Sequence, residues 1–238
     1  MLGVLGGMGP MATVDFMSKV IQNTPARSDQ EHIPMLVCSA ANIPDRSEAI
    51  LGRGPDPLPA MRKALSRLER AGVTCIAIPC NTAHYWHAAL QAQTSIPILH
   101  IVDAVADLLP GKGLQGGQVG LLATTGTVEA GLYQKRLAER GFTCTIPDPA
   151  DQAEVMRAIR LVKVGRVAQA TPILLRQAEA LVAAGCRQIV IGCTEIPVAL
   201  ASVDDELRPL LVDATEALAR ACLTAWPESV GGAMSLAA

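Results

Sequence analysis

Seven cysteines are spread along a chain of 238 residues, and two of them sit in settings where a thiol could do chemistry. Ile78-Pro79-Cys80-Asn81-Thr82-Ala83-His84 and Ile191-Gly192-Cys193-Thr194-Glu195-Ile196-Pro197 each start at the end of an apolar run. Each places a cysteine at the exit, then a threonine, then a segment with helical spacing. The thiolate is the reactive form, with an ordinary pKa of about 8.5, and it can take a proton as well as attack carbon. Two thiols on opposite faces of a carbon acid make a two-base device. One removes the α-proton, the other delivers a proton to the far face, and the stereocentre inverts with no cofactor required. The carbanion between them needs donors aimed at its carboxylate. Asn81, Thr82, Thr124, Thr125, Thr127 and Thr194 all fall in turns at expected strand exits and can supply hydroxyl, amide and backbone donors.

The neighbouring residues each carry a plain reading beside a chemical one. His84, four residues after Cys80, tunes that thiol or simply ends the polar face of the motif. Glu195, two residues after Cys193, is read as an orienting partner for that thiol rather than as a direct base. Arg46 is an ordinary solvated charge or an anion ligand. Lys163, amid Leu161-Val162-Lys163-Val164, either favours a helix C-terminus or holds an anion. A pyridoxal phosphate Schiff base finds no phosphate loop or pyridine-nitrogen partner to support it. His32, His87 and His100 are scattered and read as surface or satisfied core histidines. The odd cysteine count without C-x-x-C pairs argues against zinc and against a secreted disulfide framework; most of the other thiols should behave as small buried hydrophobes.

The elements that must position these residues alternate in kind. Apolar strands are expected at Gly3–Leu5, Pro34–Cys38, Cys75–Ile78, Ile96–Ile101, Val119–Ala123, Phe142–Ile146, Gln188–Ile191 and Pro209–Val212. Helical spacing covers Met11–Thr24, Pro59–Ala71, Tyr85–Gln93, Val128–Arg140, Ala153–Val164, Arg166–Ala184 and a last stretch ending near Thr224. Asn42–Pro59 reads as a long polar loop of the kind that carries function. Gly6-Gly7-Met8-Gly9-Pro10 is a glycine turn that either faces an anion or serves packing alone; it is not G-x-G-x-x-G. The tail from Pro227 is rich in Gly, Ser and Ala and is expected to fray.

The order of elements repeats. Gly3-Val4-Leu5 and its glycine turn match Gly120-Leu121-Leu122 with Thr124-Thr125-Gly126-Thr127. Ala71–Asn81 matches Ala184–Thr194, and Val102-Asp103-Ala104 matches Val212-Asp213-Ala214. Alternating strands and helices imply an α/β fold with parallel sheets and right-handed crossovers. Ligands in such sheets bind beyond the carboxyl ends of the strands, where both cysteines lie. Two halves related by a pseudo-two-fold would aim both ends into one cleft. The expected division is residues 1–99 plus 209–238, with a C-terminal helix returning to the first half, and 100–208.

Composition bounds the function. Half of the residues are hydrophobic, 18% are charged and 3% aromatic, and the net charge is -2. A core of Ala, Val, Leu and Ile suits buried parallel strands covered by helices. No basic run favours nucleic acid. No apolar stretch approaches the roughly 18 residues of a membrane span. The N-terminus lacks a basic n-region and a signal-like core, so a cytoplasmic location is expected.

With L-G-G-M-G-P near the start, P-C-N-T-A-H, L-L-A-T-T-G-T at the middle and G-C-T-E-I-P, the chain resembles the aspartate/glutamate racemase superfamily, closest to its cofactor-independent aspartate racemases. The resemblance covers nearly the whole chain apart from the tail. It implies two flavodoxin-like α/β halves with the active site between them, and Cys80 and Cys193 as acid and base. It also implies Arg46, in Ile43-Pro44-Asp45-Arg46-Ser47-Glu48-Ala49-Ile50, and Lys163 as holders of the substrate's side-chain carboxylate, which suits a dianionic amino acid such as aspartate. Met8, Asn81, Thr82, Thr124, Thr125, Thr127 and Thr194 map to the family's cleft lining. The family further implies a homodimer without cofactor or metal. Glutamate racemases carry G-x-x-D-S-G-x-G-G at the start and His after the second Cys-Thr, where this chain has Gly-Gly-Met-Gly-Pro and Glu195. Glutamate or broad-specificity racemisation, hydantoin racemisation, maleate isomerisation and a non-catalytic thiol-redox role remain as alternatives.

Overall fold

The structure, a computed structural model, describes residues 1–201 and 206–226; the expected frayed tail lies outside them. The strands are β1 (Leu2–Gly6), β2 (Met35–Ser39), β3 (Cys75–Ala77), β4 (Gly117–Ala123), β5 (Phe142–Thr145), β6 (Gln188–Gly192) and β7 (Leu211–Asp213). The helices are α1 (Pro10–Asn23), α2 (Arg46–Ile50), α3 (Leu58–Arg70), α4 (His87–Gln91), α5 (Ile101–Leu108), α6 (Thr125–Glu129), α7 (Leu132–Ala138), α8 (Pro149–Lys163), α9 (Val167–Ala183), α10 (Ile196–Ala199) and α11 (Ala214–Ala225).

These elements form two parallel sheets, ordered β2-β1-β3 and β5-β4-β6-β7. The repeat in the sequence is thus a repeat in topology: β1 and β4 are central, and β3 and β6 flank them on the same side. The fold is α/β with two parallel sheets, as expected. β7 pairs with β6, Ile191 opposite Asp213, while α11 packs back on α1 and α5.

Burial explains the layering. β1 and β6 are buried at every position, as strands covered on both faces must be. Leu5, Ile76 and Ile78 face α3 through Met61, Leu65 and Leu68. Leu122, Ile189 and Ile191 face α8 and α9. Between the sheets, Val4 and Ala77 share one core with Leu121, Val190, α5 and α11. Burying each Val, Leu or Ile contributes about 1.5–3 kcal/mol, so this shared core ties the halves together. Among the described residues, no helix is long and apolar enough to cross a membrane.

Four expectations need correction. The strand at Ile96–Ile101 is reduced to a single bridge, Ile76 to Ile98. Pro97 has no N–H to extend a ladder, and α5 begins at Ile101. The loop 42–59 contains α2, capped by Asp45, whose side chain accepts from Glu48 N–H. The helix expected over Val128–Arg140 is two helices, broken where Gly131 adopts a left-handed φ of 63°. The one over Tyr85–Gln93 is a 3-10 turn (Thr82–Trp86) followed by α4. The glycine turn after β1 is built for packing. A Cβ on Gly7, at φ 90°, would collide with the backbone of Ala40 and Ala41.

Candidate active site

Both motif cysteines line one small pocket, at the exits of β3 and β6. On the first side the chain turns tightly, with Cys80 N–H donating to Ile78 C=O at 2.8 Å. On the second, Gly192 allows the approach: a Cβ there would meet Leu121 Cδ1 at 2.9 Å and Ala123 Cβ at 3.1 Å. The thiols are 7% and 6% exposed. Asn81, Thr82, Thr124, Thr194, Glu195, Arg46 and Lys163 share the lining, so most of the residues expected there come together.

Thr127 and Met8 stand behind that wall. Thr82, Thr124 and Thr127 form a closed ring of hydroxyls at 2.9–3.0 Å, joining the two halves. Met8 contributes its carbonyl, which accepts from Arg46 Nη2 at 3.2 Å. Thr125 is turned away, its hydroxyl accepting from Gln152 Nε2 at 3.4 Å.

Arg46 is already engaged. Its Nη1 donates to the carbonyls of Ile43 and Pro44 at 3.2 and 2.9 Å. Its buried Nε has no hydrogen-bond partner among the described residues. The helix that carries it is pressed onto α6, since a Cβ on Gly126 would fall 2.7 Å from Ser47 Cα.

The two thiols have unequal surroundings. Cys193 Sγ donates to Glu195 Oε2 at 3.0 Å, and Thr194 Oγ1 donates to the same oxygen at 3.1 Å. Lys163 Nζ stands 3.9 Å from Glu195 Oε1. Burial first, and then the Glu195 carboxylate, push the Cys193 thiol well above its ordinary range. Among the described residues no carboxylate hydrogen-bonds Cys80, whereas Glu195 bonds Cys193. His84 meets the Cys80 carbonyl through Nδ1 at 2.9 Å and accepts from Ile101 N–H through Nε2 at 3.2 Å. That pattern fixes the neutral ring with its proton on Nδ1, and burial pushes its pKa down to about 4.

Three residues that sequence reasoning overlooked belong here. Asp45 and Ser47 line the pocket beside Arg46, and their adjacency to it was the available signal. Tyr133, fully buried on α7, donates its hydroxyl to Asn81 Oδ1 at 2.5 Å; nothing in the spacing announces that pairing. His87 and His100 are not scattered. His87 stacks on His84 with ring centroids 5.9 Å apart, and His100 meets both rings edge-on, 4.8 Å from His84 and 4.7 Å from His87. Of the other cysteines, Cys75, Cys186 and Cys222 are buried, and Cys38 and Cys144 are partly so.

The pocket has a volume of about 30 Å³, room for little more than a water, so an amino acid requires it to widen. A larger cavity of about 600 Å³ adjoins it, lined by Pro10, Met11, Val14 and Val198 and sharing Arg46, Lys163, Thr194 and Glu195.

Known proteins resemble this arrangement along nearly its whole length. The model of the Asp/Glu/hydantoin racemase family matches residues 5–222. A broad-specificity amino-acid racemase of Bacillus subtilis is 29% identical over 236 residues, covering 95% of this chain and 98% of its own. An aspartate racemase structure from Picrophilus torridus superposes with a TM-score of 0.82 at 31% identity, covering 94% of this chain and 93% of that one. An aspartate racemase homologue from Pyrococcus horikoshii shares the fold, with a TM-score of 0.74 at 24% identity over 94% of this chain and 97% of its own. The chain is a racemase, an isomerase, and it belongs to the Asp/Glu/hydantoin racemase family.

Proposed function

We infer that the protein interconverts L- and D-aspartate by proton transfer between Cys80 and Cys193, without pyridoxal phosphate. The observation that carries this reading is the shared pocket: two buried thiols, from equivalent exits of two parallel sheets, line one small cavity. One thiolate takes the α-proton from one face, and the opposing thiol returns a proton to the other. Asn81 is the natural carboxylate donor. Its Oδ1 is committed to Tyr133, and its buried Nδ2 has no partner among the described residues. Backbone N–H groups of Thr82 and Thr194 add donors around it, the threonine hydroxyl protons being committed to the ring and to Glu195. Such fixed donors stabilise developing charge because they need no reorganisation.

Arg46 and Lys163 supply positive charge on the same wall, which suits the side-chain carboxylate of an acidic substrate. For Arg46 this requires its guanidinium to exchange a backbone carbonyl for the substrate, or to present Nε. The likeness to the Picrophilus aspartate racemase supports the same substrate. A broader range is favoured by one observation, the apolar-walled cavity of about 600 Å³ next to the pocket, and by the Bacillus relative's broad specificity. The test is a panel of single enantiomers followed by chiral chromatography. Aspartate turned over fastest from both sides supports the assignment; a neutral amino acid preferred over aspartate removes it.

A further inference from the structure

Glu195 occupies a position that no other residue shares among those described. It lines the small pocket with both cysteines, it lines the larger cavity beside it, and its carboxylate touches a thiol. Oε2 accepts from Cys193 Sγ at 3.0 Å, while Oε1 is turned to Lys163, 3.9 Å away. The Lys163 side chain is 45% exposed and that of Glu195 17%, so the path from Cys193 outward runs from a buried sulfur through a partly wet carboxylate to solvent. Cys80, like Cys193, lines the small pocket and not the larger cavity, but it has no carboxylate of its own motif that reaches both. No hydrogen bond reaches its Sγ from the described residues, and both nitrogens of His84 are taken by backbone.

We propose that Glu195 is the proton relay of Cys193, exchanging that thiol's proton with solvent through the larger cavity, so that Cys193 is the solvent-exchanging thiol and Cys80 the sequestered one. This rests on the two-thiol racemase reading and adds a role that the near-symmetry of the two motifs conceals.

The proton count closes in both directions. The resting pair is Cys193 S–H with Glu195 carboxylate. As an acid, the thiol gives its proton to Cα, leaving thiolate beside carboxylate; a solvent proton then lands on Oε1 or Oε2 and passes to sulfur. As a base, the pair first shifts its proton from Sγ to Oε2. The thiolate then takes the α-proton, giving thiol beside carboxylic acid, and the acid releases its proton to solvent. In each case Cys80 is in the complementary state, thiolate when the pair acts as acid and thiol when it acts as base. It ends the turnover with one proton gained or lost and resets by exchange with solvent through the shared pocket once the product has left, so it is sequestered only while the site is occupied. The charged and titratable groups around Cys193 are Glu195 in its own motif, Lys163 from α8, Cys80, Asp45 and Arg46 across the shared pocket and, more distantly, Tyr133 from α7. Of these, Glu195 alone hydrogen-bonds the sulfur.

The closing experiment has two arms on the full chain. In the first, L- and D-aspartate are incubated separately in D2O, and unreacted starting enantiomer is recovered at low conversion. A proton taken by a thiol that exchanges with solvent can return as deuterium. One enantiomer should therefore come back α-deuterated and the other should not, and Glu195→Gln should cut that return at least about tenfold relative to inversion, with Glu195→Asp intermediate. Deuterium returning equally from both enantiomers, or from neither, overturns the relay, as does a return unchanged in Glu195→Gln. The second arm needs no turnover: iodoacetamide labelling of Cys80 and Cys193 against pH, read by peptide mass spectrometry. In Glu195→Gln the Cys193 midpoint should fall by about one unit or more while that of Cys80 stays. An unmoved Cys193 midpoint, or a parallel shift of both, contradicts the relay. A protein that racemises neither enantiomer of aspartate yet shows the selective shift keeps the coupling of Glu195 to Cys193 and loses the aspartate assignment.

Discussion

The hydroxyl of Tyr133, on α7 of the second half, donates at 2.5 Å to Oδ1 of Asn81, which follows Cys80 in the first half. One bond therefore crosses between the halves, fixes which end of the Asn81 amide faces the pocket and leaves Nδ2 as its free donor. Burial pushes the Tyr133 phenol well above its ordinary range, so it acts as a donor throughout the working pH range. Tyr133→Phe keeps the packing and removes the donor. It should cost about 1–3 kcal/mol of stability through the unpaired buried oxygen and lower kcat about 10- to 100-fold, with KM little changed. Steady-state kinetics and thermal melts on the same preparation check both parts.

The threonine ring gives a second prediction. Thr127 is fully buried, and its hydroxyl meets those of Thr82 and Thr124 at 2.9 and 3.0 Å. Thr127→Val keeps the shape but leaves two buried hydroxyls short of a partner. The expected loss is about 1–3 kcal/mol, with a fall in activity because Thr82 and Thr124 line the pocket. Thr127→Ser should restore most of both. Urea unfolding and initial rates distinguish these outcomes.

Arg46 should separate acidic from neutral substrates. Loss of a charge-assisted contact of about 1.5–3 kcal/mol predicts that Arg46→Ala raises KM for aspartate about 10- to 100-fold. Because the guanidinium also ties Met8, Ile43 and Pro44, a modest drop in melting temperature should accompany it. An equal effect on a neutral amino acid would take Arg46 out of side-chain recognition.

The histidine cluster predicts acid sensitivity. Burial pushes His84 down to about 4 and His100 down to about 2, so the folded state holds neutral rings that the unfolded chain protonates near 6.5. Unfolding takes up protons as pH falls below that value, so stability is full above it and declines toward pH 4. His84 alone should account for about 2 kcal/mol between pH 7 and pH 5. His84→Asn should flatten that slope in chemical denaturation, and an unchanged slope would mean that the ring is not held neutral.

The sequence made the frame and the two thiols legible because both rest on local signals: apolar runs, glycines and a repeated order. Where it misled, the deciding interactions were non-local or below the scale of a pattern. Val102-Asp103-Ala104 and Val212-Asp213-Ala214 are matching words, yet Asp103 lies inside α5 and pairs with Arg136, whereas Asp213 ends β7, caps α11 and pairs with Lys19. Pro97 decided against a strand whose apolar run resembled its counterpart. The helix α2 was hidden by its length, five residues, although Asp45 and Glu48 at capping spacing marked its start. Asn81 and Tyr133 are 52 residues apart, and only the folded chain brings them together. Glu195 was read as an orienting partner of Cys193, and its contact with the sulfur and with the larger cavity sharpens that role.

The most direct measurement is chiral analysis of L- and D-aspartate incubated separately in D2O with the wild-type chain, Cys80→Ala and Cys193→Ala, with no cofactor added. The wild type should convert each enantiomer to the same racemic mixture, the inverted product carrying deuterium at Cα, and each substitution should lower inversion in both directions by at least about a thousandfold. Inversion without deuterium at Cα, or substantial racemisation surviving in either variant, would contradict proton transfer between Cys80 and Cys193.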